Sequence, residues 1–315
     1  MKRILLVLLK AGVSIGLMAI FFVEIDWPDV MAAVEAADVR LLWGAAGLFL
    51  ASNLLGAVQW DLLLRAQGIV LPHLHVQGLY VVGVFFNNFL ISNIGGDAVR
   101  VYDLRRVTGE GSPAFAATFV DRFVGLFTMT TFSLVAYLAS PGTWGFGLLI
   151  PIVGLCAVLA GVLAVGFSRR ISGLLEHVGR RLLPLPLGDR IGKVRGSFIL
   201  YRSRMGTLAV VLCLSVLVQV LRVAVYYSVS EAMRLGVSFR HFLVFIPMIA
   251  VVAAVPISFG GIGVRENFGA LLFQRVGVGL APSLALMFLG YLAGIVASLV
   301  GGVVFVVRRV KKEGA

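Results

Sequence analysis

The chain is cut into apolar runs that are each close to the length of a bilayer crossing. They lie at roughly 4–23, 41–64, 76–94, 115–139, 144–167, 207–230, 242–280 and 282–307, the seventh being interrupted. A crossing helix needs about 20 consecutive apolar residues, and its backbone must satisfy its own N–H and C=O groups, so runs of this length fold as helices. Charged residues make up 13% of the chain and mean hydropathy is +1.01, whereas a soluble domain carries about 25% charge. The sequence therefore reads as an all-α polytopic membrane protein. No soluble domain fits between the runs, and the whole of 1–315 reads as one membrane domain.

The net charge of +12 would suggest nucleic acid in a soluble protein. Here the bias of cytoplasmic loops toward Lys and Arg accounts for it, with attraction to anionic lipid headgroups as a secondary effect. Ser168 to Gly206 carries nine Lys and Arg against only Glu176 and Asp189, so it is expected on the cytoplasmic side. Lys2 and Arg3 place the N-terminus there too, and Arg308, Arg309, Lys311 and Lys312 do the same for the C-terminus. The expected location is the cytoplasmic (inner) membrane. The first apolar run has no small-residue cleavage pattern after it and reads as a retained helix.

Cys156 and Cys213 lie inside apolar runs, and the histidines (His73, His75, His177, His241) lack companions at metal-ligand spacing. Neither a disulfide framework, a metal site nor a cofactor is expected.

Two polar breaks follow apolar runs. One reads SNIGGDAVR (Ser92 to Arg100) and the other SFGGIGVR (Ser258 to Arg265); aligned on their glycines, Gly95, Gly96 and Arg100 fall on Gly260, Gly261 and Arg265. If 76–94 crossed fully, Arg100, Arg105 and Arg106 would lie outside. If it enters and returns on one side, they stay inside, and an inside C-terminus then requires 242–280 to do the same from the outer face. The expectation is six spanning helices plus two re-entrant segments in an inverted repeat, with pseudo-repeats at about 1–140 and 141–315. Eight full spans are the alternative. Inverted repeats with broken segments suit a transporter whose site lies between the halves.

A charge buried in the bilayer costs on the order of 3 kcal/mol and persists where it meets a partner or a polar cavity. Arg100, Arg122, Arg222 and Arg265 are candidates for binding an anionic headgroup, since guanidinium suits phosphate and carboxylate. Asn93, Gly95, Gly96, Ser258, Gly260 and Gly261 would add amides and polar groups at the breaks. Asp97, Asp121 and Glu266 are candidates for pairing those arginines or carrying coupling protons. Interhelical hydrogen bonds explain Gln59 and Gln219, and a solvated helix-end pair explains Asp61 and Arg65. Arg222 lies deep in an apolar run and calls for a ligand or a buried acid such as Asp97, Asp121 or Glu266.

NNFLISNIGGDAVRVYDLRR, followed by FVDRFVGL and VPISFGGIGVRENF, resembles the transmembrane region of lysylphosphatidylglycerol synthases and related stand-alone flippase-like proteins. The resemblance covers nearly the whole chain. It departs at Ile91-Ser92-Asn93, where the family commonly has a proline approach, and at Asp121-Arg122, where the family has Glu-Arg. It implies translocation of a lipid. Two-domain members add a soluble aminoacyl-transferase domain after this region; this sequence stops at Ala315, so synthesis of lysylphosphatidylglycerol is not expected.

The leading expectation is a lipid translocase, not an enzyme, moving an anionic or phosphate-bearing lipid. A polyprenyl-phosphate-dependent glycosyltransferase using Glu24, Asp26 or Asp29, and a non-transporting scaffold, are the alternatives. Membrane lipids are the expected partners; a second copy of the chain and an envelope-lipid biosynthetic enzyme are further candidates.

Overall fold

The structure, a computed structural model, describes residues 27–89, 95–109, 111–139, 146–167, 200–254 and 263–313. Among these the chain is helical with no strand. The helices are α1 (Trp27–Glu35), α2 (Val39–Ala66), α3 (His73–Phe89), α4 (Gly95–Thr108), α5 (Ser112–Leu138), α6 (Phe146–Phe167), α7 (Met205–Ala232), α8 (Phe239–Ala254), α9 (Val264–Gln274) and α10 (Leu280–Glu313). Of these α2, α5, α7 and α10 are long and apolar enough to cross a membrane, so the protein is a multi-pass membrane protein. The first expected run, 4–23, lies outside the described residues.

The expected run 242–280 holds two helices, α8 and α9, whereas the expected run 76–94 holds α3 alone and α4 starts on the glycines that follow it. α3 has 17 residues and α4 has 14; α8 has 16 and α9 has 11. At the first break α4 begins on Gly95 with Asp97 in its first turn, where a carboxylate suits the positive end of the helix dipole. The Gly96 N–H donates to Asn87 Oδ1 at 2.8 Å. At the second, Gly263 takes φ 82°, a backbone conformation open to glycine at little cost. Glu266 then reaches back to accept the Gly263 N–H at 2.7 Å, one half of a capping box.

Among the described helices, α2 and α7 make the most extensive contact. α10 packs on α3 and α8 packs on α5; α4 returns along α3, and α9 lies between α8 and α10. Two contacts bring backbones together. A Cβ on Gly96 would run into the carbonyl oxygen of Gly83, and one on Gly301 into that of Val81. Apolar solvent gives helices in lipid no hydrophobic reason to associate, so close packing across small residues supplies part of the attraction. One apolar cluster forms around Phe242, Phe245, Phe273, Val225 and Leu286, and another around Trp60, Leu63, Leu64, Val76 and Leu104.

Asp61 and Arg65 do pair, with Arg65 Nε 3.1 Å from Asp61 Oδ1, but Asp61 is buried, contrary to the expected solvated pair. Arg65 also reaches the Leu71 carbonyl at 3.3 Å, and His73 Nδ1 lies 2.5 Å from Asp61 Oδ2. The chain doubles back between α2 and α3, so the turn itself covers the carboxylate.

Candidate functional site

Asp97 and Arg100 are three residues apart on α4 and so share a face. They form an ion pair, and Arg100 Nη1 donates to Asp121 Oδ2 of α5 at 3.4 Å. Arg122 holds Asp97 from the other side: Nε donates to Oδ2 at 2.6 Å and Nη2 to Oδ1 at 3.0 Å. This two-bond geometry is the strong form of an arginine–carboxylate contact. Gln59 of α2 donates from Nε2 to the remaining oxygen of Asp121 at 2.8 Å.

Arg100 is only 2% exposed, and two aromatic rings cover it. Its Cζ lies 4.5 Å from the centre of the Tyr80 ring and 5.2 Å from that of Trp60. Such rings present a negative face to a cation, which offsets part of its desolvation. Trp60 Nε1 donates to Thr118 Oγ1 at 3.2 Å, so the indole is fixed between α2 and α5. Arg100 is thus a built-in cation that joins α2, α3, α4 and α5. Arg122 differs, because its side chain is 45% exposed.

Arg222 of α7 enters the same electrostatic neighbourhood, interacting with Arg100, Arg122, Asp121 and Tyr80. It lies about 26 Å along its helix from Met205, at about 1.5 Å per residue. The expected pairing with Asp97, Asp121 or Glu266 is not made. Among the described residues no carboxylate forms an ion pair with Arg222, and its buried Nε has no hydrogen-bond partner. Arg100, Arg122 and Gln59 instead supply the hydrogen bonds to the oxygens of both aspartates. Arg100 Nε, Gln59 Oε1 and Gln219 Oε1 are likewise buried without partners. Gln219, one turn before Arg222, does donate through Nε2 to the Gly125 carbonyl at 3.4 Å. Among the described residues three guanidinium groups therefore face two carboxylates, one positive charge in excess.

Arg265 belongs to a second cluster. Its Nη2 is 2.6 Å from Glu266 Oε1, and its Cζ sits 3.8 Å above the centre of the Tyr291 ring of α10. This pair is balanced in charge. Tyr226, one turn beyond Arg222 on α7, interacts electrostatically with Arg265, Glu266 and Tyr291. It packs so closely on α10 that a Cβ on Gly290 would meet its ring. One helix face of α7 thus addresses both clusters.

The structure therefore brings Asp97, Arg100, Asp121, Arg122 and Arg222 together and places Arg265 with Glu266 in separate company. Gly95 opens α4, and Gly96 is consumed in packing against Gly83. Asn93, Ser258, Gly260 and Gly261, with Glu24 and Asp26, lie outside the described residues. Four partners were not singled out from sequence: Trp60, Tyr80, Tyr226 and Tyr291. Each looks like any aromatic residue of an apolar run, and only its position over or beside an arginine distinguishes it. An open cleft of about 440 Å³ lies where the α7–α8 and α9–α10 turns meet. Arg234, Ser238, His241, Gly277 and Pro282 line it, and none of the expected site residues does.

Among families of known proteins, the one described as "Lysylphosphatidylglycerol synthase TM region" matches residues 7–303 of this chain. The chain is also similar to UPF0104 membrane protein PH1989 of Pyrococcus horikoshii, with 24% identity over 98% of this chain and 98% of that protein. Both matches run through the two arginine clusters.

Proposed function

Since the chain belongs to the lysylphosphatidylglycerol synthase TM region family, and since its buried charges converge on one arginine that no carboxylate holds, we propose that it is a lipid translocase. The cargo is a lipid with a phosphate headgroup, such as a phospholipid or a polyprenyl-phosphate lipid. The headgroup crosses between two halves of the protein while the chains stay in the bilayer. The proteins would sit in the cytoplasmic membrane with both termini inside.

The observation that carries this reading is Arg222, with its buried and unpartnered Nε beside two aspartates that Arg100, Arg122 and Gln59 hold. Arg222 is half-buried as a whole, and a cation deep in an apolar helix without a paired carboxylate is costly. A structural arginine in this position would be expected to have a carboxylate, as Arg100 and Arg265 do. A phosphate oxygen supplies the missing acceptor and cancels the surplus charge.

The halves are supported by exchange of the helix contacts. If α2 to α5 correspond to α7 to α10, then the α3–α10 contact becomes α8–α5, and α2–α10 becomes α7–α5; both members of each pair exist. In this reading α3–α4 and α8–α9 are the two re-entrant segments, and the α2–α7 contact lies on the pseudo-twofold axis.

The test is translocation of a headgroup-labelled phosphatidylglycerol by the full chain in phosphatidylcholine vesicles. Arg222→Gln is expected to abolish movement and Arg265→Gln to reduce it, with both variants folded. Normal movement by both variants would overturn the proposal.

A further inference from the structure

Arg122 is the anomaly of the first cluster. It lies about 15 Å along α5 from Ser112, at about 1.5 Å per residue, yet its side chain is 45% exposed. It does not need that exposure to hold Asp97, because Arg100 does so while 2% exposed. The half-exposed Arg122 side chain shares a helical stripe with Phe115 and Phe119, which precede it by seven and three residues. These rings are 46% and 42% exposed. With Phe123 they form a ladder along α5: Phe115 and Phe119 have centroids 6.3 Å apart, and Phe119 and Phe123 stack at 6.5 Å with 14° between planes. The ladder ends beside Arg122, and Arg122 interacts electrostatically with Arg222. The exposed face of α10 offers a contrast, since Val303, Val306 and Val307 carry neither rings nor a charge until Arg308.

Resting on the translocase reading, we propose that the lipid enters the site sideways over α5. Its hydrocarbon chain lies on Phe115, Phe119 and Phe123, and its phosphate is handed from Arg122 to Arg222. A row of rings along one helix face matches an extended hydrocarbon chain, and a half-exposed arginine side chain at its end matches the phosphate attached to that chain. Arg122 can accept the phosphate without leaving Asp97 uncompensated, because Arg100 stays on Asp97 throughout. Among the described residues the cluster carries one positive charge in excess, which the single negative charge of a phosphodiester such as phosphatidylglycerol offsets.

The probe is phosphatidylglycerol with a diazirine in one acyl chain, mixed into phosphatidylcholine vesicles that hold the full chain. Illumination is expected to place adducts on the peptide containing Phe115 to Phe123 in preference to the Val303–Val307 face. Arg222→Gln is expected to remove this preference, because the headgroup no longer anchors the chain. Phe115→Ala with Phe119→Ala is expected to lower ladder labelling and translocation by about tenfold, whereas Val303→Ala with Val306→Ala leaves both unchanged. Even labelling of both faces, unaffected by Arg222→Gln, would mean that the ladder holds only bulk lipid, and the lateral route falls. If Arg222-dependent adducts appear on another helix, the route also falls. In both cases a loss of translocation in Arg222→Gln leaves the translocase reading standing; normal translocation in that variant removes the lateral route, and together with normal translocation in Arg265→Gln it removes both.

Discussion

Gly68 and Arg234 occupy the same place at the ends of α2 and α7. Both have positive φ, 83° and 55°. The Gly68 N–H donates to the Arg65 carbonyl and the Arg234 N–H to the Glu231 carbonyl, each at 3.0 Å. The following residues, Ile69 and Leu235, donate to Leu64 and Ser230, again at 3.0 Å each. This is the Schellman pattern, in which the residue after the C-cap turns left-handed. Further on, the His75 and His241 N–H groups bond the carbonyls of Pro72 and Ser238. The two helix pairs thus turn by the same hydrogen bonds.

The second of these turns puts a branched-off Cβ where glycine belongs, a conformation costing about 1–2 kcal/mol for L-residues. Arg234→Gly is therefore expected to stabilise the protein by about 1 kcal/mol, and Gly68→Ala to destabilise it by a similar amount. Thermal unfolding in detergent measures both, and a lower midpoint for Arg234→Gly would show that the arginine side chain contributes more than its backbone strain removes.

Arg100 and Arg222 should separate stability from function. Arg100→Gln strips the buried cation from Asp97 and Asp121 and is expected to cost about 3–5 kcal/mol. Arg222→Gln removes a cation that has no ion pair to break, so its unfolding midpoint should match or exceed that of the unaltered protein. Equal destabilisation by both variants would show that Arg222 is a structural member of the cluster.

Close helix approaches give a third expectation. Gly96→Ala and Gly301→Ala each drive a methyl group into a backbone carbonyl of α3, at a cost of about 1–3 kcal/mol. Gly44→Ala meets nothing within 4 Å and should stabilise α2 by about 0.5–1 kcal/mol. Indistinguishable midpoints for all three would contradict the α3–α4 and α3–α10 packing.

The ring beneath Arg265 can be tested by retaining or removing its face. Tyr291→Phe keeps the aromatic surface 3.8 Å from the guanidinium and should leave the midpoint nearly unchanged. Tyr291→Leu should cost about 0.5–2 kcal/mol. Equal effects of the two substitutions would assign the contribution to packing or to the hydroxyl group.

Hydropathy made the helices legible in the sequence, because burying a backbone in lipid leaves few alternatives to helix. The apolar runs containing α2, α5, α7 and α10 are evident, and the first Gly-Gly pair marks the start of α4. The candidate arginines and carboxylates were legible for a related reason: a charge in an apolar run stands out against its background. Their partners were not. Nothing local distinguishes Tyr80 from the other aromatic residues of its run, or tells that Gln59 rather than Arg222 takes the free oxygen of Asp121.

The sequence by itself determined which segments are helical, where they break and which charges they carry, since those properties depend on neighbours a few residues apart. Only the tertiary structure decided who pairs with whom. α2, α4, α5 and α7 meet around two aspartates whose oxygens are shared among Arg100, Arg122 and Gln59. Arg222 is left over because the crossing of these helices brings Arg100, Arg122 and Gln59 to those oxygens instead. That assignment depends on how four helices cross, and no local pattern along the chain contains it.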